Sequence, residues 1–214
     1  MTADERPTYQ GDPGLTNPLR FCEQLYAVVV GLGLALAANH VVQFSQVGGP
    51  VRSEHIPLFV AYLAFAFPLA HAAVRYIDLA YVEQRFGPTP PARGIMDVLL
   101  DGVRMWWLIA LALHVAQPEN FAYLTIFLFA SELGRAALSR VLGRRPPSRL
   151  ERNLTILSAG TLVVAGVLLL IAQVGVGNDA GVWIVRIGIH VTALTYAVAM
   201  YAGSYSYFFN PVPR

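Results

Sequence analysis

The chain has 214 residues, 56% of them hydrophobic and only 13% charged, with a formal net charge of +2 and a mean hydropathy of +0.52. A soluble domain carries about 25% charged residues, so a fold bathed in water is excluded for most of this sequence and lipid is its solvent. So small a net charge does not point to nucleic acid as a partner, and the single Cys22 excludes an intrachain disulfide.

In chain order, residues 1–19 read as a flexible polar arm. Six apolar stretches follow, predicting helices over about 20–45, 57–84, 94–116, 121–142, 153–176 and 182–208, with 209–214 as a short tail. Pro57 suits a first turn, and Pro68 is placed to kink the second helix. Turns are expected at Gly87–Pro91, Gln117–Asn120 and Gly177–Gly181. The fold class is therefore all-α: a polytopic membrane protein whose six transmembrane helices form one domain over 20–208.

Arginine orients these helices. All 15 basic residues are Arg. Arg6 and Arg20 precede the first helix, Arg85 and Arg93 flank the second turn, and Arg140, Arg144, Arg145, Arg149 and Arg152 crowd the fourth loop. The third and fifth loops carry none, and the first carries only Arg52. Basic loops stay cytoplasmic. Both termini are thus expected inside, in a bacterial inner membrane. Tyr201, Tyr205 and Tyr207 suit the inner aromatic belt, and Trp183 the outer one. Asn153-Leu154-Thr155 has the form of a glycosylation sequon but falls at a cytoplasmic helix end, where it is read as chance.

With that orientation, position becomes depth. Glu23, Arg75, Asp78, Asp97, Asp101, Arg104, Glu132 and Arg135 share an inner layer on four helices. Spacings of three or four put each local set on one helix face, and a charge facing lipid costs about 2.5–3.5 kcal/mol, so these faces turn inward. Two readings stay open: a structural network that locks the helices, or a vestibule for an ion or proton. Five acids against three arginines would favour cations.

His40, His114 and His190 form an outer layer, with His55 in the first outer loop and His71 deeper. Each is read first as a hydrogen-bonded structural residue. A pH sensor or a haem or metal site are the alternatives, though no Cys-x-x-Cys-His, His-x-x-x-His or His-Glu-x-x-His spacing supports the last. No metal or cofactor is expected, and no motif marks an enzyme.

The first helix carries a small-residue stripe, Ala27, Gly31, Ala35 and Ala38, which lets another helix approach closely. Ordinary packing explains it. So does a symmetry axis, around which Val28, Leu32 and Leu36 would form an apolar constriction gating by wetting.

Phe21-Cys22-Glu23 followed by Tyr26-Ala27-Val28 resembles the first helix of the transmembrane protein 175 family, potassium-permeable channels of lysosomes and prokaryotes. That helix has a Phe-Ser-Asp signature and a following Phe-Ala-Ile. The aromatic-rich second helix, with His71 toward its inner half, is similar to its counterpart. The resemblance implies a homotetramer or other cyclic homo-oligomer of six-helix subunits, with the first helix lining a pore for monovalent cations. Val28 would narrow that pore, followed a turn later by Gly31 or Leu32, and Glu23 would sit at the inner mouth. The expected function is an oligomeric cation channel, for potassium or protons. The rivals are a non-conducting scaffold or effector that docks a partner through the Arg-rich loop, and a haem or metal redox protein.

Overall fold

The computed structural model describes residues 13–42, 51–86, 91–142, 149–174 and 178–209. Among them the order is α1 (Pro13–Val42), a 3-10 turn (Ser53–His55), α2 (Ile56–Phe86), α3 (Pro91–Leu113), α4 (Pro118–Leu142), α5 (Arg149–Val174), α6 (Asn178–Gly203) and a short α7 (Tyr205–Phe209). The described residues contain no strand. In lipid every backbone polar group must be satisfied within the segment, which selects helix. Five stretches are long and apolar enough to cross a bilayer: Gln24–Val42, Ser53–Val74, Pro118–Leu138, Leu150–Val174 and Asp179–Gly203.

Several helices begin earlier than expected, each for the same reason. α1 starts at Pro13 rather than at 20, α3 at Pro91 and α4 at Pro118. Proline at the first helical position loses no hydrogen bond, because that N–H has no partner within the helix. Glu119 and Asp179 then sit in the first turns of α4 and α6, where the helix dipole favours an acid. Two expected turns are thus largely first turns of helices. α3 stops at Leu113, which leaves His114 in the tight connection to α4. α6 ends at Gly203, and Ser204 separates it from α7. The arm expected at 1–19 is helical from Pro13 on, and the tail expected from 209 begins inside α7; residues 1–12, 143–148 and 210–214 lie outside the described residues.

α1 packs on α2 and α3, α3 on α4, α4 on α5 and α6, and α6 on α2 and α5. The helices therefore follow one another round the bundle as α1, α3, α4, α5, α6, α2, with α1 and α5 at opposite edges. α2 lies inside: 61% of its apolar window is buried, against 22% for α1 and 28% for α5. At the centre Phe65, Phe129 and Tyr196, from α2, α4 and α6, meet edge-on with centroids 5.1–5.6 Å apart. Such geometry sets the positive ring edge against the negative ring face. Four threonine hydroxyls are satisfied locally. Thr125, Thr155, Thr192 and Thr195 each donate to the carbonyl four residues earlier.

Two glycines fix how closely helices approach. A β-carbon at Gly188 would stand 2.5 Å from Leu168, so α6 lies tight against α5. A β-carbon at Gly33 would run into the Tyr62 hydroxyl and touch Ala112 Cβ at 3.7 Å, so Gly33 is where α1 seats on α2 and α3. Gly31, two residues earlier, faces open space. Gly33→Val should therefore cost about 1–3 kcal/mol from overpacking, whereas Gly31→Val should leave monomer stability within about 1 kcal/mol of the parent. Denaturant titration of the detergent-solubilised protein, followed by Trp fluorescence, separates the two.

Candidate functional site

Among the described side chains, the inner charge layer lies on α3 and α4. Arg104 is the largest of the fully buried side chains, at 2% exposure. Its Nε donates to Glu132 Oε1 at 2.6 Å and its Nη2 to Glu132 Oε2 at 2.8 Å, a two-pronged pair between the helices. Its Nη1 donates to Asp101 Oδ1 at 2.9 Å, one turn back on α3. Arg135, one turn on from Glu132, donates to Oε2 from Nη2 at 3.2 Å and from Nε at 3.3 Å. All four side chains are buried. Helical spacing of three brings each local pair onto one face, and the planar guanidinium fork matches the carboxylate.

The cluster holds two guanidiniums and two carboxylates, so the net acidity expected of the layer is absent from these four. The Tyr26 hydroxyl of α1 and the Tyr196 hydroxyl of α6 are buried within electrostatic reach of it. The Tyr26 hydroxyl lies against Arg104 and Asp101, and the Tyr196 hydroxyl has no hydrogen-bond partner. Four helices thus converge on one polar centre. The two tyrosines escaped the sequence reading because tyrosine passes as apolar in a helix pattern. The available signal was that a phenol deep in a transmembrane helix brings a hydroxyl that seeks a partner.

The other expected residues distribute differently. Side chains of Phe21, Cys22, Glu23, Arg75, Asp78 and Asp97 lie outside the described residues. On α1, Val28 is 65% and Leu32 50% exposed, and Ala27, Gly31 and Ala35 share that outward face. Leu36 turns the other way and packs on the core. His71 of α2 sits among aromatic rings of the chain's end, 4.6 Å from Phe208 and 6.1 Å from Tyr201.

Two of the three outer-layer histidines, His114 and His190, have backbone partners. The ring Nδ1 of His114 lies 2.8 Å from the Ala110 carbonyl, and that of His190 lies 2.9 Å from the Pro57 carbonyl, tying α6 to the start of α2. Among the described residues no three His, Cys, Asp or Glu side chains converge as metal ligands would. At the other end, Asn153 Nδ2 donates to the Gly203 carbonyl at 2.9 Å and to Ser204 Oγ at 3.1 Å, joining the start of α5 to the end of α6. The residue read as a chance sequon thus holds a helix end.

No family model, curated protein or solved structure matches the chain.

The ion-pair cluster gives a stability test. Arg104→Met takes the two-pronged partner from buried Glu132 and the partner from Asp101, and Glu132→Met takes the two-pronged partner from buried Arg104, so each should lose about 3–5 kcal/mol. The double variant should lose less than the sum of the two, because the charges then leave together. Unfolding midpoints in detergent and the resulting double-mutant cycle measure both effects.

Proposed function

We propose that the chain is one subunit of a membrane oligomer whose copies meet along α1 and enclose a conduit for monovalent cations. The observation that carries this reading is a contrast between exposed faces. α5 shows Ile156, Val163, Val167 and Leu170 outward around one small residue, Gly160, and α6 shows Ile187, Val191, Leu194 and Val198. Large aliphatic side chains of this kind suit acyl chains. The outward face of α1 instead mixes Ala27, Gly31 and Ala35 with Val28 and Leu32, with Gln24 and Asn39 exposed toward its ends. Small residues let helix backbones approach closely, and van der Waals packing between helices then replaces contact with lipid.

In this reading α3 is a sixth crossing, with Asp101 and Arg104 paired inward. The arginine map supports cytoplasmic termini, as in a bacterial inner membrane. Val28 and Leu32 would form the apolar ring, and Glu23 would supply a carboxylate at the cytoplasmic mouth. The resemblance of α1 to the transmembrane protein 175 channels points the same way. A second reading is a non-conducting scaffold that docks a partner through the arginines from Arg140 to Arg152. It draws on the closure of the Arg104–Glu132 network, since paired charges lock helices whether or not ions pass.

Assembly and conduction are tested separately. In a Cys22→Ser background, Gly31→Cys should cross-link between copies in native membranes, while a cysteine at Val167 on α5 should not. Purified protein in liposomes should pass potassium, and Val28→Asp or Leu32→Asp should raise that flux at least about tenfold by keeping the constriction wet. Cross-links without flux in any variant would leave the scaffold reading. No cross-link at Gly31 would end both the assembly on α1 and the conduit.

A further inference from the structure

At the end of the bundle opposite Arg140 and Arg152, another arginine is buried with no acid bound to it. Arg186 lies eight residues into α6, about 12 Å along the helix, and is 7% exposed. Its guanidinium stacks on the Trp183 ring at 5.0 Å. Its Nε is buried and has no hydrogen-bond acceptor. This is the opposite of Arg104, whose Nε, Nη1 and Nη2 each have a carboxylate oxygen.

The surroundings of Arg186 follow from helical register. His190 is one turn further along the same face, and its ring meets the Pro57 carbonyl. That contact sets the Arg186 face of α6 beside the turn Ser53–His55. His55 is also buried, at 8% exposure, and its Nδ1 lacks a partner. Arg186, Arg52 and His40 all lie within electrostatic reach of His55. Among the described residues, Glu54 is the acid that acts on this group; it is 3.8 Å from His55 Nε2 and its side chain is 48% exposed. Two arginines against one glutamate leave the place net positive. Two buried ring and guanidinium nitrogens there have nothing to bond.

We propose that Arg186 and His55 form a binding site for a phosphate-type oxyanion, with Trp183 as its aromatic wall. A guanidinium presents its donors in a flat fork that fits two phosphate oxygens, and a histidine Nδ1–H adds a third bond. The remaining positive charge makes an anion, rather than a neutral carbonyl, the fitting occupant. Trp183 is 49% exposed, as suits an indole at the level of lipid headgroups. The oxyanion is therefore carried either by a phospholipid headgroup or by a free anion entering from water. The inference stands whether or not copies assemble on α1.

The test uses the full chain in an uncharged maltoside detergent, with thermal unfolding as the readout. Inorganic phosphate and a short-chain phosphatidylglycerol are titrated in parallel, with sodium chloride at matched ionic strength as the control. The expected result is a rise in midpoint, beyond that in chloride, with at least one of the two ligands. Stabilisation by phosphatidylglycerol alone assigns a lipid headgroup, and stabilisation by phosphate assigns a free anion. Arg186→Gln should raise the ligand-free midpoint, since it removes an unpaired buried charge, and should weaken the apparent affinity at least tenfold. Arg186→Lys, which keeps the charge and loses the fork, should fall between; it serves as the variant if Arg186→Gln does not fold. The proposal is overturned if neither ligand shifts the parent beyond chloride, or if the variants respond as the parent does.

Discussion

Arg104, with 2% of its surface exposed and carboxylates on two helices around it, sets the terms on which this bundle can form. Removing a guanidinium from water is costly, and the cost is offset only when its donors meet acceptors in good geometry. Glu132 provides two oxygens and Asp101 one, so rotation of α3 relative to α4 is confined to the register that satisfies them. The Trp107 and Phe127 rings, stacked at 5.6 Å, lie along the same pair of helices and fit only that register. Dispersion alone is a weak guide between apolar helices in an apolar solvent, so a directional contact of this kind supplies specificity that Leu and Val do not.

The aromatic centre and the charge cluster are joined through Tyr196. Its ring closes the contact with Phe65 and Phe129, while its hydroxyl lies within reach of Glu132 and both arginines. From α1, Tyr26 packs its ring with Ala70 and Ala73 of α2, while its hydroxyl lies within reach of the same charges. The polar centre is therefore lined by side chains that are apolar along their length and polar at their tips. Arg186 contrasts with this arrangement. Its face of the bundle offers a cation, an indole and a turn rich in nitrogen donors, but no acid at bonding distance.

The helical fold was legible because lipid permits few alternatives, and hydropathy with Pro, Gly and Arg marked most boundaries. The errors at helix starts came from treating Pro118 and Asp179 as turn residues when each also suits a first turn. Asp101, Arg104, Glu132 and Arg135 were identifiable as a layer because three-residue spacing and the cost of charge in lipid both demand inward faces. Which acid meets which arginine was not legible, since that depends on helix rotation. Gly33 was passed over for Gly31 because a small-residue stripe gives spacing without direction; only the place of Tyr62 distinguishes the two faces. Asn153 was dismissed for a similar reason: its role depends on the end of α6, 50 residues later.

A polypeptide leaves the ribosome from its N-terminus, and Arg104 precedes Glu132 by 28 residues. When α3 reaches the translocation channel, the fork of Arg104 has only Asp101 to meet, and the segment is a poor candidate to partition into lipid by itself. The charge is neutralised from a second helix only after α4 has been synthesised. In the six-crossing reading, α3 waits at the channel wall and enters the bilayer together with α4, as a hairpin whose two legs are already paired.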